Sequence, residues 1–206
     1  MSKPILYGIS ASRAFRSIWA IEEIGIDYDH VPTSFRGDAQ SEDYLAVNPN
    51  GRIPALVDGD LKLFESMAIN LYLAKKYGPQ LLPGGLEGEA LALQWSVWGI
   101  SEIEPLQMQI VIQKLFTPED KRDASVIGRA ERALDRPLKV LDAHLADQPY
   151  LLGEAFTLAD LSLAGVMDLL GMIEFDTAPW PNVHRWQQAC YGRDSYTRAK
   201  QVGVSA

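Results

Sequence analysis

The residues whose types and order could do chemistry run Asn48-Pro49-Asn50-Gly51-Arg52-Ile53-Pro54-Ala55-Leu56-Val57, followed by Glu65-Ser66-Met67-Ala68-Ile69. An Ile-Pro bond ahead of a strand is of the kind that adopts cis, since a proline amide costs only about 0.5–1 kcal/mol in that form. A chain bent there leaves the Ile53 N–H and C=O outside the strand ladder, where an extended peptide can pair with them as an added strand. Ser66 opens a helical pattern. Its hydroxyl and the free N–H groups of a helix start suit a carboxylate, and Glu65 beside it suits an ammonium. Together these residues describe a pocket for a small peptide-like molecule with an ammonium and a carboxylate at one end. Singly, each piece has a structural reading: Asn-Pro-Asn-Gly is a turn sequence and Glu-Ser a common helix entry. Their order and spacing together favour the ligand.

Such a site needs strands and helices to hold it. Ile5-Leu6-Tyr7 is a short apolar run ended by Gly8 and reads as a buried strand. Ser12 to Ile24 follows with Phe15, Ile18, Trp19 and Ile21 at helical spacing, and Gly25 stands at its stop. Tyr28 to Thr33 reads as a second strand. Pro54 to Val57 and Leu61 to Phe64, joined by Asp58-Gly59-Asp60, read as a hairpin. Ser66 to Tyr77 is a helix ended by Gly78-Pro79. The order β-α-β, hairpin, α predicts a small α/β layer whose first two strands are parallel with a right-handed crossover.

Residues 79–88, with Pro79, Pro83, Gly84, Gly85 and Gly88, read as a linker. Beyond it only helical patterns occur. Ala90 to Leu115 is long and apolar-rich with a kink expected at Pro105. Pro118 to Leu145 carries a weak point at Arg136-Pro137, because a mid-helix proline costs about 3 kcal/mol. Leu158 to Met172 and Asn182 to Tyr191 complete the set. Phe156-Thr157-Leu158-Ala159-Asp160-Leu161 carries a capping box and hydrophobic staple, which is a folding device.

Composition bounds the function. The chain has 206 residues, 47% hydrophobic and 22% charged, long enough for a sizeable core without disulfides. With 19 Lys and Arg against 27 Asp and Glu, the net charge of −8 argues against a nucleic-acid or polybasic membrane partner. The single Cys190 excludes an internal disulfide framework, a multi-cysteine zinc site and a CxxC pair, and reads as buried and inert. His30, His144 and His184 show no metal-ligand spacing, so no metal is expected. The N-terminus lacks a signal-peptide core and no apolar run approaches the ~20 residues of a membrane span, so a cytoplasmic protein is expected.

On the segments Asn48 to Val57, Glu65-Ser66 with its helix, and Phe156 to Ala164, the chain resembles a cytosolic glutathione transferase over nearly its whole length. The likeness is to bacterial, Ser- or Cys-type members of theta, zeta or beta kind. It implies the glutathione transferase fold: an α/β thioredoxin-like N-terminal domain at 1–78, the linker at 79–88, and an all-α C-terminal domain at 89–206 that contributes an electrophile site. It implies a cis Pro54, Ile53 pairing with the cysteinyl part of glutathione, and Glu65 and Ser66 holding its γ-glutamyl end. Arg52 is placed either at the glycine-end carboxylate or facing solvent. Glutathione is the implied co-substrate, with no metal, and a homodimer is the implied assembly.

The resemblance also places the catalytic group between the first strand and first helix, where Tyr, Ser or Cys hydrogen-bonds the glutathione sulfur. Ser12 is the first candidate, Ser10 the second and Tyr7 the third, with Tyr7 expected to pack. A donor hydroxyl and the positive end of a helix both favour thiolate over thiol, and Ser12 also has the plain reading of a helix N-cap. Arg13 and Arg16 add positive potential, Arg16 more readily as an ion-pair residue. Trp95, Trp98, Met108 and Ile112 are candidates for an apolar electrophile wall, with core packing the stronger reading for each. Glu102 and Glu104 read as a solvated face. The implied activity is attack of the glutathione thiolate on a hydrophobic electrophile. The alternatives are a glutathione-dependent isomerase of the maleylacetoacetate type and a non-catalytic module of the same fold. Lys3 to Tyr7 and Gly25 to Tyr28 resemble the isomerase class, but its Ser-Ser-Cys run is replaced by Ala11-Ser12-Arg13.

Overall fold

The structure, a computed structural model, describes residues 3–82 and 84–203. Pro83 of the expected linker and the outer ends of the expected domains lie outside these residues. The chain divides into two compact units, Met1–Leu82 with Gly192–Ala206, and Pro83–Tyr191.

The first unit is built on a four-stranded sheet of order β2-β1-β3-β4. Its elements are β1 (Ile5–Tyr7), α1 (Phe15–Ile24), β2 (Asp29–Val31), α2 (Glu42–Leu45), β3 (Ala55–Asp58), β4 (Leu61–Phe64) and α3 (Ser66–Tyr77). β1 and β2 are parallel, in register from Ile5↔Asp29 to Tyr7↔Val31. β3 runs antiparallel to β1 with Tyr7 opposite Ala55, and β4 antiparallel to β3 with Ala55 opposite Phe64. β1 and β4 therefore point the same way, and α1 and α3 both begin at the end of the sheet where β3 starts.

Strand alternation divides the side chains between two faces. Tyr7, Ile9 and Ala55 pack with Ala39, Tyr44, Val47 and Ile53. Leu6 and Leu56, on the opposite face, are fully buried. α1 buries Phe15, Ile18, Trp19 and Ile21 and ends at Gly25. It begins at Phe15 rather than at Ser12, because residues 12–17 first close tighter turns: Phe15 N–H to Ser12 C=O at 3.0 Å and Ser17 N–H to Ala14 C=O at 3.0 Å. The four-residue α2 was not expected; the Ser41 side chain caps it by accepting from the Tyr44 N–H.

The second unit is helical. α4 (Gly85–Trp98) runs through a π-helical turn at Gly99–Ile103 into α5 (Glu104–Val111), which ends in a second π turn at Ile112–Phe116. α6 (Ala124–His144), α7 (Leu158–Met172) and α8 (Pro181–Tyr191) follow. The expected kink at Pro105 is thus a π turn just ahead of it, with the proline in the first turn of α5, where a missing N–H costs least. No break occurs at Pro137, which lies inside α6. The buried stripe Leu134, Leu138 and Leu141 outweighs it, since each buried leucine contributes about 1.5–3 kcal/mol against about 3 for the proline. α7 is buried on nearly every side. The π turn after α4 approaches it so closely that a Cβ at Gly99 would sit 2.7 Å from Leu163 Cδ1. Asp160 takes the Thr157 N–H at 2.9 Å, the Leu151 N–H at 2.8 Å and the Trp186 indole N–H at 2.9 Å, so the capping carboxylate also ties α8 and the preceding loop to α7.

The last helix, α9 (Asp194–Gln201), groups with the sheet unit, so the tail from Gly192 stands apart from the helical range 89–206 expected from sequence. It packs on α1. Ser195 accepts the Trp19 indole N–H at 3.0 Å and donates to Glu23, which also pairs with Arg193, while Arg198 pairs with Glu22 at 3.0 Å. No helix among the described residues is long and apolar enough to cross a membrane.

At the end of the hairpin, one oxygen of Asp58 accepts from Tyr77 at 2.6 Å, Lys76 at 2.8 Å and Tyr72 at 2.9 Å, all from the last two turns of α3. Burial pushes this carboxyl up, but the hydrogen bonds and the Lys76 charge outweigh it and hold it below the ordinary 3.8. A depressed folded value means that its stabilisation is present above the ordinary carboxylate range and is lost as pH falls through the folded value. Asp58→Asn should cost about 1–3 kcal/mol at pH 7. In urea unfolding followed from pH 7 to pH 2, the gap between wild type and variant should close below about pH 4. A gap that stays constant over that range would show that the charge of Asp58 is not what holds α3.

Candidate glutathione site

The strand register sets three chain segments side by side. Gly8 leaves β1, Pro54 leads into β3 and Glu65 leaves β4, and the pairs Tyr7↔Ala55 and Ala55↔Phe64 place them abreast. The Ile53-Pro54 peptide is cis. Among the described residues the Ile53 N–H and C=O have no hydrogen-bond partner, as an acceptor edge for an extended peptide requires.

The peptide preceding that edge is firmly held. The Arg52 carbonyl accepts the Tyr44 hydroxyl at 2.6 Å and the Asn48 side-chain N–H at 2.6 Å, and it belongs to the same peptide group as the Ile53 N–H. Burial pushes the Tyr44 phenol up to about 12, so it stays a donor through the neutral range. Gln40 donates to the Gly51 carbonyl at 2.9 Å. Tyr44 and Gln40 come from the segment around α2, which no apolar period marks in the sequence, and their importance was missed there. The Arg52 side chain is exposed.

Glu65 and Ser66 stand at the start of α3. Glu65 is exposed and sits at φ 73°, ψ 113°, a region that L side chains rarely adopt. Ser66 is the first helical residue and is buried, so its N–H belongs to the unpaired helix start. One turn on, Asn70 donates to the carbonyl of Arg16, the second residue of α1, at 3.3 Å. The starts of α1 and α3 therefore meet, and both positive helix ends serve the same corner.

The loop between β1 and α1 completes it. Gly8 has φ 137°, and a Cβ there would collide with Ala14 and lie 3.6 Å from the Ile53 Cβ. Only glycine lets this loop lie against Ile53. Ser12 is half-buried; its hydroxyl donates to the Ile9 carbonyl at 2.7 Å and accepts the Ala14 N–H at 3.1 Å. It is not the N-cap of α1, which is Ala14. Ser10 is buried with its hydroxyl unpartnered among the described residues. Tyr7 packs edge-on against Tyr44, with ring centroids 5.7 Å apart. Arg16 is buried in α1, whereas Arg13 is exposed.

The structure thus brings Ser10, Ser12, Ile53, Pro54, Glu65 and Ser66 to one corner of the sheet unit. In the helical unit Trp95 is buried against Trp98, at 5.2 Å between centroids, and against His144 at 4.6 Å, which assigns its ring to packing. Trp98 and Met108 are half-buried, Ile112 and Glu102 exposed, and Glu104 buried. Cys190 is fully buried. No group of three His, Cys, Asp or Glu among the described residues could hold a metal ion. The open depression of about 480 Å³ lined by Glu23, Arg193, Ser195 and Arg198 belongs to the contact of α9 with α1, not to this corner.

Comparison with known proteins identifies the family. The family model for the glutathione S-transferase N-terminal domain matches residues 2–75, and that for the C-terminal domain matches residues 103–194. Glutathione S-transferase 4 of Zea mays is 36% identical over 200 residues, covering 93% of this chain and 90% of the relative. A glutathione S-transferase of Hyoscyamus muticus is 32% identical over 205 residues, covering 94% and 96%. Among solved structures, the theta class glutathione S-transferase of Xanthomonas axonopodis pv. citri with glutathione bound superposes with a TM-score of 0.89 at 30% identity over the full length of both chains. A glutathione S-transferase-I bound with lactoylglutathione gives 0.87 at 33% identity, covering 97% of this chain and 99% of the other. The two sequence relatives are plant proteins, so the bacterial attribution has no support in them.

The backbone of Glu65 yields a test. A non-glycine residue in such a region costs about 1–3 kcal/mol, and glycine is free of that cost. Glu65→Gly should therefore leave thermal stability unchanged or raise it, while weakening glutathione binding at least tenfold by calorimetry. A variant that is destabilised yet binds normally would show that the strain serves packing, not the ligand.

Proposed function

The chain belongs to the cytosolic glutathione S-transferase superfamily and is a glutathione transferase, and from that premise we propose that Ser12 is the residue that stabilises the glutathione thiolate. What supports this reading is that the Ser12 hydroxyl lies in the loop packed against Ile53, with the Ala14 N–H already satisfying one of its lone pairs. The hydroxyl hydrogen is spent on the Ile9 carbonyl. A short rotation about the Cα–Cβ bond redirects it to a sulfur held at the Ile53 edge.

In this reading the Ile53 N–H and C=O pair with the cysteinyl residue. The Ser66 hydroxyl and N–H take the γ-glutamyl carboxylate, Glu65 takes its ammonium, and Arg52 reaches the glycine-end carboxylate. A model thiol has a pKa near 8.5, and each unit of depression is worth about 1.4 kcal/mol. The Ser12 hydrogen bond and the two helix starts supply that depression without an ionised base. The thiol proton passes to solvent, the sulfur forms a bond to the electrophilic carbon, and the leaving group departs with its electron pair. Ser10 is the alternative donor. We further propose that Trp98 and Met108 contribute the apolar surface that receives a hydrophobic electrophile, and that the assembly is a homodimer. Exposed Leu86, Leu93, Val97 and Ile100 fall on one side of the α4 segment at helical spacing and offer a surface for a second copy. A monomer mass in sedimentation velocity would remove that assignment.

Ser12→Ala should lower kcat/KM for a chloronitrobenzene about 10–100-fold, the worth of one hydrogen bond to a charged group. It should also move the midpoint of the pH–rate profile upward, with little change in retention on glutathione-agarose. Undiminished turnover in Ser12→Ala with loss in Ser10→Ala would transfer the role to Ser10.

A further inference from the structure

We propose that His30 is a positioning residue for the reaction: its imidazole fixes the Gly8–Ile9 peptide and, through it, the carbonyl that holds the Ser12 hydroxyl. The inference rests on the reading of Ser12 as the thiolate-stabilising residue. It starts from a missing rung in the sheet. The Gly8 N–H donates to the Val31 carbonyl at 3.1 Å, which extends the β1–β2 ladder by one step. In a parallel ladder the next bond would run from the N–H two residues on, that of Thr33, to the Gly8 carbonyl. β2 ends at Val31, Pro32 follows, and that bond is not made. The His30 Nε2 takes its place, 2.8 Å from the Gly8 oxygen. A carbonyl oxygen only accepts, so Nε2 carries the hydrogen.

The ring is itself constrained. Tyr28 lies against it in an edge-on arrangement at 6.5 Å between centroids, and the chain after α9 passes so close that a Cβ at Gly203 would be 2.8 Å from the His30 Cε1. The clamped carbonyl belongs to the one loop residue whose backbone demands glycine, and the next carbonyl, that of Ile9, receives the Ser12 hydroxyl. The path from His30 to Ser12 is therefore one hydrogen bond, two peptide groups joined at the Ile9 Cα, and a second hydrogen bond. Removing the first releases the Gly8–Ile9 peptide and lets the loop that carries Ser12 shift, so that its hydroxyl, once turned from the Ile9 carbonyl, no longer meets the sulfur. Ile53, Glu65 and Ser66 stay in place, so glutathione affinity should hold while thiolate stabilisation falls.

The test is a double-mutant cycle on the full-length protein, read as kcat/KM against pH with a chloronitrobenzene and as KM for glutathione. H30F should lower kcat/KM at pH 6.5 about 3–10-fold, move the profile midpoint upward and leave the KM for glutathione within twofold. H30Q, which keeps an N–H donor and does not titrate, should restore the wild-type midpoint. Adding H30F to S12A should cost nothing further, because the path ends at Ser12. If the phenyl ring prevents folding, His30→Val tests the same loss. An unmoved midpoint in H30F, or a full additive loss in the double variant when S12A alone is impaired, overturns the role of His30. Full activity in S12A overturns the reading of Ser12, and the midpoint of H30F alone shows whether His30 acts on another donor in the loop.

Discussion

The direction of four short strands governs which backbone groups meet at the candidate site. β1 and β4 run one way and β3 the other, so two strand ends and one strand start meet at a single end of the sheet. A helix follows each strand end. Two helix starts and one free peptide edge thereby converge with no residue between them chosen for the purpose. Reversing any strand would send one of the three to the far side of the sheet, about 10–13 Å away for a three- or four-residue strand. No set of side chains could then rebuild the corner.

Given that convergence, the chemistry asks little of the side chains. A thiol needs only a modest shift to be ionised at neutral pH, and oriented N–H groups with one hydroxyl can provide it. This explains why the corner holds no His–Asp relay and no metal-ligating cluster among the described residues. It also explains why its demanding features lie in the backbone: a glycine at φ 137°, a glutamate at φ 73° and a carbonyl gripped by two donors at 2.6 Å. The strain at Glu65 aims the start of α3, and the packed sheet beneath it offsets the cost.

Legibility in the sequence follows the same division. α3 and α7 were readable to the residue, Ser66–Tyr77 and Leu158–Met172, because Gly78-Pro79 stops the one and a capping box starts the other. The hairpin and the Ile53-Pro54 edge were readable from turn chemistry and proline. α2 was not, since four residues show no period, and with it went Tyr44 and Gln40. α9 was not, because its attachment to α1 runs through Glu22, Glu23, Arg193 and Ser195, polar residues whose pairing exists only once the helices meet. Pro137 misled for the opposite reason: a local penalty of about 3 kcal/mol is decisive in a peptide and minor beside a buried leucine stripe.

The same reasoning explains where further determinants of activity sit. When a site is made mostly of backbone, the side chains that tune it act on peptides, not on substrate. Tyr44 and Asn48 on the Arg52 carbonyl and His30 on the Gly8 carbonyl are two instances on either side of the corner. In each, a donor lies at the side chain and an acceptor at the main chain, so the peptide plane is fixed by an interaction that never touches the ligand. Tyr44 and His30 belong to no motif, because any donor of suitable reach would serve. They are found by asking, for each carbonyl around a site, which group satisfies it. A loop whose carbonyls are all answered keeps its backbone, and with it the residue that carries the hydroxyl, in place; one left with a free carbonyl relaxes toward water.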